Sequence, residues 1–284
     1  MLQYNLNRIL ICILFILLCS PVFSEDKNAV IPSAIVTELR QELLRVIGIL
    51  TNNANNNGVH LQQDNWKNCQ YHSRLGERQA VEVKWANGMS QFDYESHELV
   101  ELQLSWPKSV TDLPLTQIEI ENKAQKLLHA AFNRRTDLIP TKLFIQDYDN
   151  SWLVAQSFEL NGKKYFLCGI TALFDKFGRV TNIRVSWPYG TRSNQIVDNI
   201  GQQKAIMIAE NEASKISGFS IKSVNSCRQG FIDFSQKGNN GKIVCQLAWH
   251  VIIDIKPQSD KFITINCAQY YISADDGKIL LRQQ

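Results

Sequence analysis

The residues able to do chemistry are few, and their spacing decides what they can be. His97-Glu98 is followed by Leu99, Val100 and Glu101, so the second histidine of a helical zinc-peptidase motif is missing. His60, His72, His97, His129 and His250 share no metal-ligand spacing, and no Cys-x-x-Cys pair occurs. Asp147-Tyr148-Asp149-Asn150-Ser151 opens like a calcium loop, but its sixth position is Trp152, where such a loop needs Gly. A nucleophilic thiol needs an imidazole beside it. Cys245 and His250 lie five positions apart, which puts them on opposite faces of one strand. Cys267 can be set opposite His250 across a hairpin, with no third group to orient the ring. The carboxylate pairs Glu119/Glu121 and Asp275/Asp276 read as a helix start and a turn. There is no G-x-S-x-G, no P-loop and no G-x-G-x-x-G. The expectation is a protein that is not an enzyme, with no catalytic, cofactor or metal residues.

Composition and targeting set the compartment. The chain has 284 residues, 44% hydrophobic and 20% charged, enough for a buried core and too apolar for a disordered chain. Thirteen Phe, eight Tyr and six Trp favour sheet. Met1–Arg8 is polar with one cation, Ile9–Cys19 is unbroken apolar, and Val22 and Ser24 are small residues placed for cleavage before Glu25. That grammar is a secretory signal peptide; the run falls short of the roughly 20 apolar residues of a spanning helix. The formal charge is +3, and Arg8 is the one charged residue lost with residues 1–24, leaving +2. So near-neutral a balance argues against a nucleic-acid protein. The expected location is secreted or periplasmic, with no stable membrane span after cleavage.

Export makes disulfides available to Cys69, Cys168, Cys227, Cys245 and Cys267. Five is odd, so one thiol stays over or pairs between chains. A bridge among Cys227, Cys245 and Cys267 and a set of buried, unbridged thiols are both open readings.

The elements that would position these residues come in repeats. Phe92 to Pro107 and Phe174 to Pro188 share an aromatic strand end, a polar turn, an alternating strand and a terminal Ser-Trp-Pro. Tyr271 to Arg282 carries the turn and the strand a third time. Cys168 and Cys267 each lie ten residues before a turn glycine, Gly178 and Gly277. A helix precedes each set. Ala34–Leu50 spaces Ile35, Leu39, Leu43, Leu44 and Ile47 on one side. Thr116–Phe132 opens with a Thr116/Glu119 capping box and repeats Ile120, Ala124, Leu127, Leu128 and Ala131. The third helix carries Ala205, Ile208, Ala209, Glu212, Ala213 and Ile216, with Gly218 as a stop.

Period-two segments follow. Lys142–Asp147, Trp152–Leu160, Lys164–Leu173 and Arg179–Trp187 read as strands of the middle copy, the second and third joined by an Asn161-Gly162 hairpin. Ile243–Ile255 and Phe262–Ser273 read as a long hairpin around Pro257–Asp260. Trp106 and Trp187 end strands and are expected to shield the junction to the next helix; stacking on a carbohydrate is the alternative.

The third copy resembles the PepSY domain family. The resemblance rests on the Ala205, Ala209, Ala213 stripe, on Ala248-Trp249-His250-Val251, and on the ending Tyr270-Tyr271-Ile272-Ser273-Ala274-Asp275-Asp276-Gly277-Lys278-Ile279-Leu280. Phe174 to Val180 resembles it more loosely, and the first copy departs from it where Ser96-His97-Glu98 replaces the turn glycine. The stretch Arg228–Gly241 is longer than the family pattern. The resemblance implies non-catalytic modules of exported proteins, with an inhibitory or chaperone-like role in peptidase propeptides.

The expected architecture is α+β: tandem units of one helix on an antiparallel meander, PepSY/cystatin-like. The expected division is 1–24 signal peptide, 25–115 a divergent unit, 116–194 and 195–284 two further units. The expected function is binding and regulating or inhibiting a peptidase or another envelope protein by strand-edge or sheet-face docking. A small-ligand carrier with a pocket between helix and sheet is the alternative, and a secreted hydrolase the less favoured third.

Overall fold

The computed structural model describes residues 31–51, 65–73, 76–106, 113–132, 138–148, 150–192, 197–235, 243–257 and 267–283. The expected signal peptide, the Asn-rich segment Asn52–Gly58 and residues 236–242 and 258–266 lie outside the described residues. In chain order the elements are α1 (Ser33–Thr51), β1 (Trp66–Ser73), β2 (Gly76–Trp85), β3 (Gly88–Asp93), β4 (Leu99–Leu104), α2 (Gln117–Phe132), β5 (Ile139–Pro140) and β6 (Phe144–Tyr148). They continue as β7 (Ser151–Leu160), β8 (Lys163–Asp175), β9 (Val180–Ser186), β10 (Thr191–Arg192), α3 (Gly201–Ala213), β11 (Phe219–Ser235), β12 (Ile243–Pro257), β13 (Cys267–Ser273) and β14 (Ile279–Gln283). The class is α+β, with mostly antiparallel strands and, among the described residues, three helices. No described helix is long and apolar enough to cross a membrane.

Two compact units form. The first takes its described residues from Met1–Asn133, Phe144–Ala155 and Thr171–Val185; the second from Arg134–Leu143, Gln156–Ile170 and Ser186–Gln284. The middle copy thus contributes residues to both, since β7 and β8 are each divided between them. Asn161 and Gly162, between β7 and β8, take φ of +51° and +71°, the backbone a two-residue hairpin requires.

In the first unit the hydrogen-bonded order runs β1, β2, β3, β4, β9 and the end of β8. Opposite residues share a face, so Val81, Val83, Phe92, Leu102 and Ile183 form one apolar face, each 0% exposed. The helices must bury their stripes against such a face. The α1 stripe is Val36, Leu39, Leu43, Val46, Ile47 and Leu50, rotated slightly from the expected one, with Ile35 and Leu44 half-buried. The α2 stripe is Ile120, Ala124, Leu128, Ala131 and Phe132. Each large aliphatic buried this way is worth about 1.5–3 kcal/mol. The capping box is present: Thr116 N donates to Glu119 Oε2 at 2.8 Å and Glu119 N to Thr116 Oγ1 at 3.4 Å. Arg45 of α1 donates to the carbonyl of Ala131 at 2.7 Å, satisfying one of the carbonyls at the C-terminal end of α2.

In the second unit β11, β12, β13 and β14 form an antiparallel meander. The strand β11 was not apparent in the sequence; it spans 17 residues, and what reads as a long insertion from Arg228 is strand pairing with β12. The small residues Ala205, Ala209 and Ala213 let α3 approach the sheet closely, over Val251, Ile253, Ile255, Ala268, Tyr270 and Ile272. The helix ends at Ala213, one turn before the expected stop; Lys215 N and Ile216 N close a tighter turn on Glu212 O and Ala213 O, and Gly218 then takes φ +80°.

Candidate functional site

One kind of turn recurs three times, the second a residue shorter than the others, and each time it touches a helix. Asp93 N donates to Glu98 O, Asp175 N to Arg179 O, and Ser273 N to Lys278 O. Inside each, a left-handed residue donates back to the turn's first carbonyl: His97 to Asp93, Gly178 to Asp175, Gly277 to Ser273. Their φ values are +57°, +72° and +76°. His97 therefore takes the glycine's place, and Ser96-His97-Glu98 builds the same turn despite the departure in sequence. His97 Nδ1 meets Glu38 of α1 at 3.0 Å. A Cβ on Gly178 would lie 2.4 Å from Leu115 and 3.3 Å from Ile120 beside α2, and one on Gly277 would lie 3.0 Å from Ile208 of α3. In the second and third turns the carbonyl after the turn start also receives the chain entering that copy's own helix: Leu115 N, ahead of α2, donates to Lys176 O, and Asn199 N and Ile200 N, ahead of α3, donate to Ala274 O.

Acidic side chains serve these turns. Asp93 is 1% exposed and accepts from Tyr71 Oη at 2.9 Å, Arg78 Nε at 2.6 Å and the amides of Glu95 and Ser96. Burial works against its ionised form, but Arg78, these amides and Tyr71 outweigh that and hold its pKa below the ordinary value. Asp175 accepts from the amides of Phe177 and Arg179 and from Arg179 Nε. Asp276 accepts from Lys278 N and Asp275 from Asn199 Nδ2, so that pair is turn structure as expected.

The face of the first unit opposite the apolar one is polar and in register. Lys67, Glu82, Gln91, Glu101 and Arg184 stand side by side on five successive strands. Glu82 is 7%, Gln91 1% and Glu101 5% exposed. Lys84 Nζ lies 2.7 Å from Glu82, and Gln91 Nε2 donates to it at 3.2 Å. Glu101 accepts from Gln103 at 2.9 Å, Arg184 at 3.2 Å and Asn182 at 3.3 Å. Burying a carboxylate costs several kcal/mol unless it is paired and hydrogen-bonded, and here both are. This row is the candidate functional site: a line of polar residues, cationic at its two ends and acidic within, whose carboxylates are paired inside the sheet and whose exposed member is Lys67. Nothing in any single strand marks it, because the charges align only once the register is known.

The second unit's face away from α3 is aromatic. Phe166, Ile232, Ala248 and Tyr271 cluster there, with Leu167, Leu280 and Leu281 beside them. The His250 ring stacks on Tyr271, centroids 4.4 Å apart and planes 5° apart, and its Nε2 meets Gln269 Oε1 at 3.0 Å. Burial pushes the imidazole pKa down to about 4 against the hydrogen bond to Gln269, so it is neutral. Leu167 takes φ +60° within β8, a bulge-like break that lets both Phe166 and Leu167 join this cluster. Gly230 is required here: a Cβ would lie 2.4 Å from Lys164 O and 2.7 Å from the Phe166 ring.

The sequence candidates fall as follows. The residue opposite His250 is Tyr271, while Cys267 faces Asp254, four residues away, so no thiol meets the imidazole. All five cysteines stand as thiols, with Cys69, Cys168 and Cys245 buried, rather than bridged within the C-terminal copy. Burial and Glu82 push Cys69 up to about 12, and burial pushes Cys227 up to about 11, so both are held protonated. Asp147 is engaged by Lys176, whose Nζ also lies 4.5 Å over the Trp152 ring; Asp149 lies outside the described residues. His60 and the His72 side chain lie outside them too, and His129 sits exposed in the last turn of α2. Among the described residues no His, Cys, Asp and Glu cluster could hold a metal. Trp187 stacks on Phe158 of β7 at 5.5 Å, and Trp106 donates to Val180 O of β9 at 2.6 Å.

No family model matches the chain, and no curated protein matches it. Similar solved structures include the Bacillus megaterium YpeB C-terminal domain, 11% identical over 90% of this chain and 98% of that one with a TM-score of 0.40. Another is an uncharacterized protein from Eubacterium rectale ATCC 33656, 11% identical over 92% of this chain and 87% of that one with a TM-score of 0.42.

Proposed function

We propose that the chain is an exported, non-enzymatic protein of tandem PepSY-like copies that binds and regulates or inhibits a peptidase or another envelope protein. The observation that carries this reading is the threefold turn at His97, Gly178 and Gly277, each docked on its own helix. Repetition of one packing device supports a chain of like modules. The groups capable of chemistry support binding over turnover: His250 is stacked and neutral, and Cys69 and Cys227 are protonated. The row Lys67, Glu82, Gln91, Glu101 and Arg184 satisfies its buried carboxylates within the sheet and leaves the Lys67 charge exposed for a partner to meet, a contact that chiefly sets specificity and encounter rate. Export rests on the apolar run Ile9–Cys19 and the small residues after it.

The test uses the mature chain against exported peptidases of its own host, measuring inhibition and co-purification, with Lys67→Glu, a reversal at the row's exposed member, alongside. Saturable binding weakened by the charge reversal supports the reading. Absence of any captured or inhibited envelope protein, together with hydrolysis by the purified chain, overturns it.

A small-ligand carrier is the second reading, and one observation favours it. Among the described residues Trp66 Nε1 and Ser90 Oγ have no hydrogen-bond partner, and both stand in one row of the apolar sheet face, flanking Val83. Native mass spectrometry of the purified chain, seeking a bound small molecule, separates this reading from the first.

A further inference from the structure

The last strands of the three copies are β4, β9 and β14. Five residues after the left-handed turn residue, they place Leu102, Ile183 and Arg282 at the same position. β4 and β9 pair antiparallel about that position. Leu102 faces Ile183, and the flanking partners are Glu101 with Arg184 and Gln103 with Asn182, the neighbouring positions exchanged. This is a local two-fold relation between equivalent strands, and its pivot residues are both 0% exposed. β14 is the third strand of this kind, and among the described residues it pairs only with β13. Its Ile279, Leu280 and Leu281 are half-buried aliphatics, and it holds no proline that would stop a ladder. At its pivot stands Arg282, opposite Tyr270 and drawn 2.7 Å from Glu212 of α3.

We propose that β14 is a self-complementary edge that Arg282 holds closed to a second copy of this chain. Pairing by the β4–β9 rule would set Arg282 directly against the same residue of the second copy. Like charges directly opposite in an antiparallel pair are destabilising. Arg282 is exposed, and a charged side chain on an edge strand is a known way of blunting it. The internal pairing shows the geometry the edge is built for, and the arginine marks the one position where a second copy fails to fit.

The experiment is light scattering and amide exchange on the mature chain, its Arg282→Ile variant, and a charge-swapped Glu212→Lys/Arg282→Glu chain mixed with the wild type. Arg282→Ile is expected to self-associate roughly tenfold more tightly than the wild type, with the β14 amides newly protected. The equimolar mixture is expected to form a heterodimer that neither chain forms alone, because an arginine then faces a glutamate. The mixture keeps the test open if Arg282→Ile does not fold. A wild type already dimeric with protected β14 amides overturns the proposal, as does a mixture of folded chains that stays monomeric.

Discussion

His97 stands in the first turn where Gly277 stands in the third: both donate to the carbonyl four residues before them, with φ of +57° and +76°. The histidine accepts a left-handed backbone, which costs a side-chain-bearing residue about 1–2 kcal/mol, and sets its ring against Glu38 of α1 at 3.0 Å. Gly178 cannot make that exchange, since its Cβ would fall 2.4 Å from Leu115. Gly178→Ala is therefore expected to cost more than the backbone term alone, about 2–3 kcal/mol. His97→Ala keeps the same strain and loses one surface contact, so it should cost about 0.5 kcal/mol or less. Urea midpoints of the two variants check this, and equal losses would contradict the equivalence of the turns.

The repeats were legible because their determinants are local. Gly178, Gly277 and Asn161-Gly162 announce positive φ, and the Ala205, Ala209, Ala213 stripe announces close helix packing. The first turn is harder to read because a histidine stands in the left-handed position that glycine holds in the other two. The β11 strand was missed because Arg228, Gln229 and Gly230 look like a loop; they are strand because they pair with His250, Trp249 and Ala248. The row from Lys67 to Arg184 depends on register across five strands, which no single segment encodes. Pairing of Cys267 with His250 failed for the same reason, a register offset of four residues.

The first unit depends on Asp93 more than on any group that touches it. Asp93→Ala leaves Arg78, whose side chain is 11% exposed, without its buried counter-ion, and it frees the Glu95 and Ser96 amides. Breaking a buried pair by removing one partner costs about 3–5 kcal/mol. Tyr71→Phe removes one hydrogen bond and should cost about 1 kcal/mol. Because the folded carboxyl lies below its ordinary pKa, its contribution is present at neutral pH and is lost as pH falls below about 4. Chemical denaturation of both variants at pH 7 checks the ranking.

Alkylation reads the state of the cysteines directly. In denaturant without reductant, Cys69, Cys168, Cys227, Cys245 and Cys267 should all take up iodoacetamide, and peptide mapping should find every one modified. In the folded chain at pH 8, Cys69 and Cys227 should react far more slowly than a model thiol, since their pKa values of about 12 and 11 leave little thiolate. Cysteines that resist alkylation until a reductant is added would mean a bridge.

His250 makes the second unit sensitive to mild acid. The folded chain keeps this imidazole neutral down to about pH 4, whereas the unfolded chain takes up its proton near pH 6.5. Between those values the unfolded state binds more protons, so stability rises with pH across the window and is lost as pH falls through it. The full shift corresponds to roughly 3 kcal/mol. His250→Phe keeps a ring to stack on Tyr271 and cannot take a proton; it gives up the contact with Gln269 and should cost about 1 kcal/mol at pH 7. Its midpoint should then change less than the wild type's between pH 7 and pH 4.5, so that the two curves cross and the variant is the more stable at pH 4.5. Parallel curves over that range would show that the imidazole is protonated in the folded chain, with Tyr271 stacked on a cation rather than on a neutral ring.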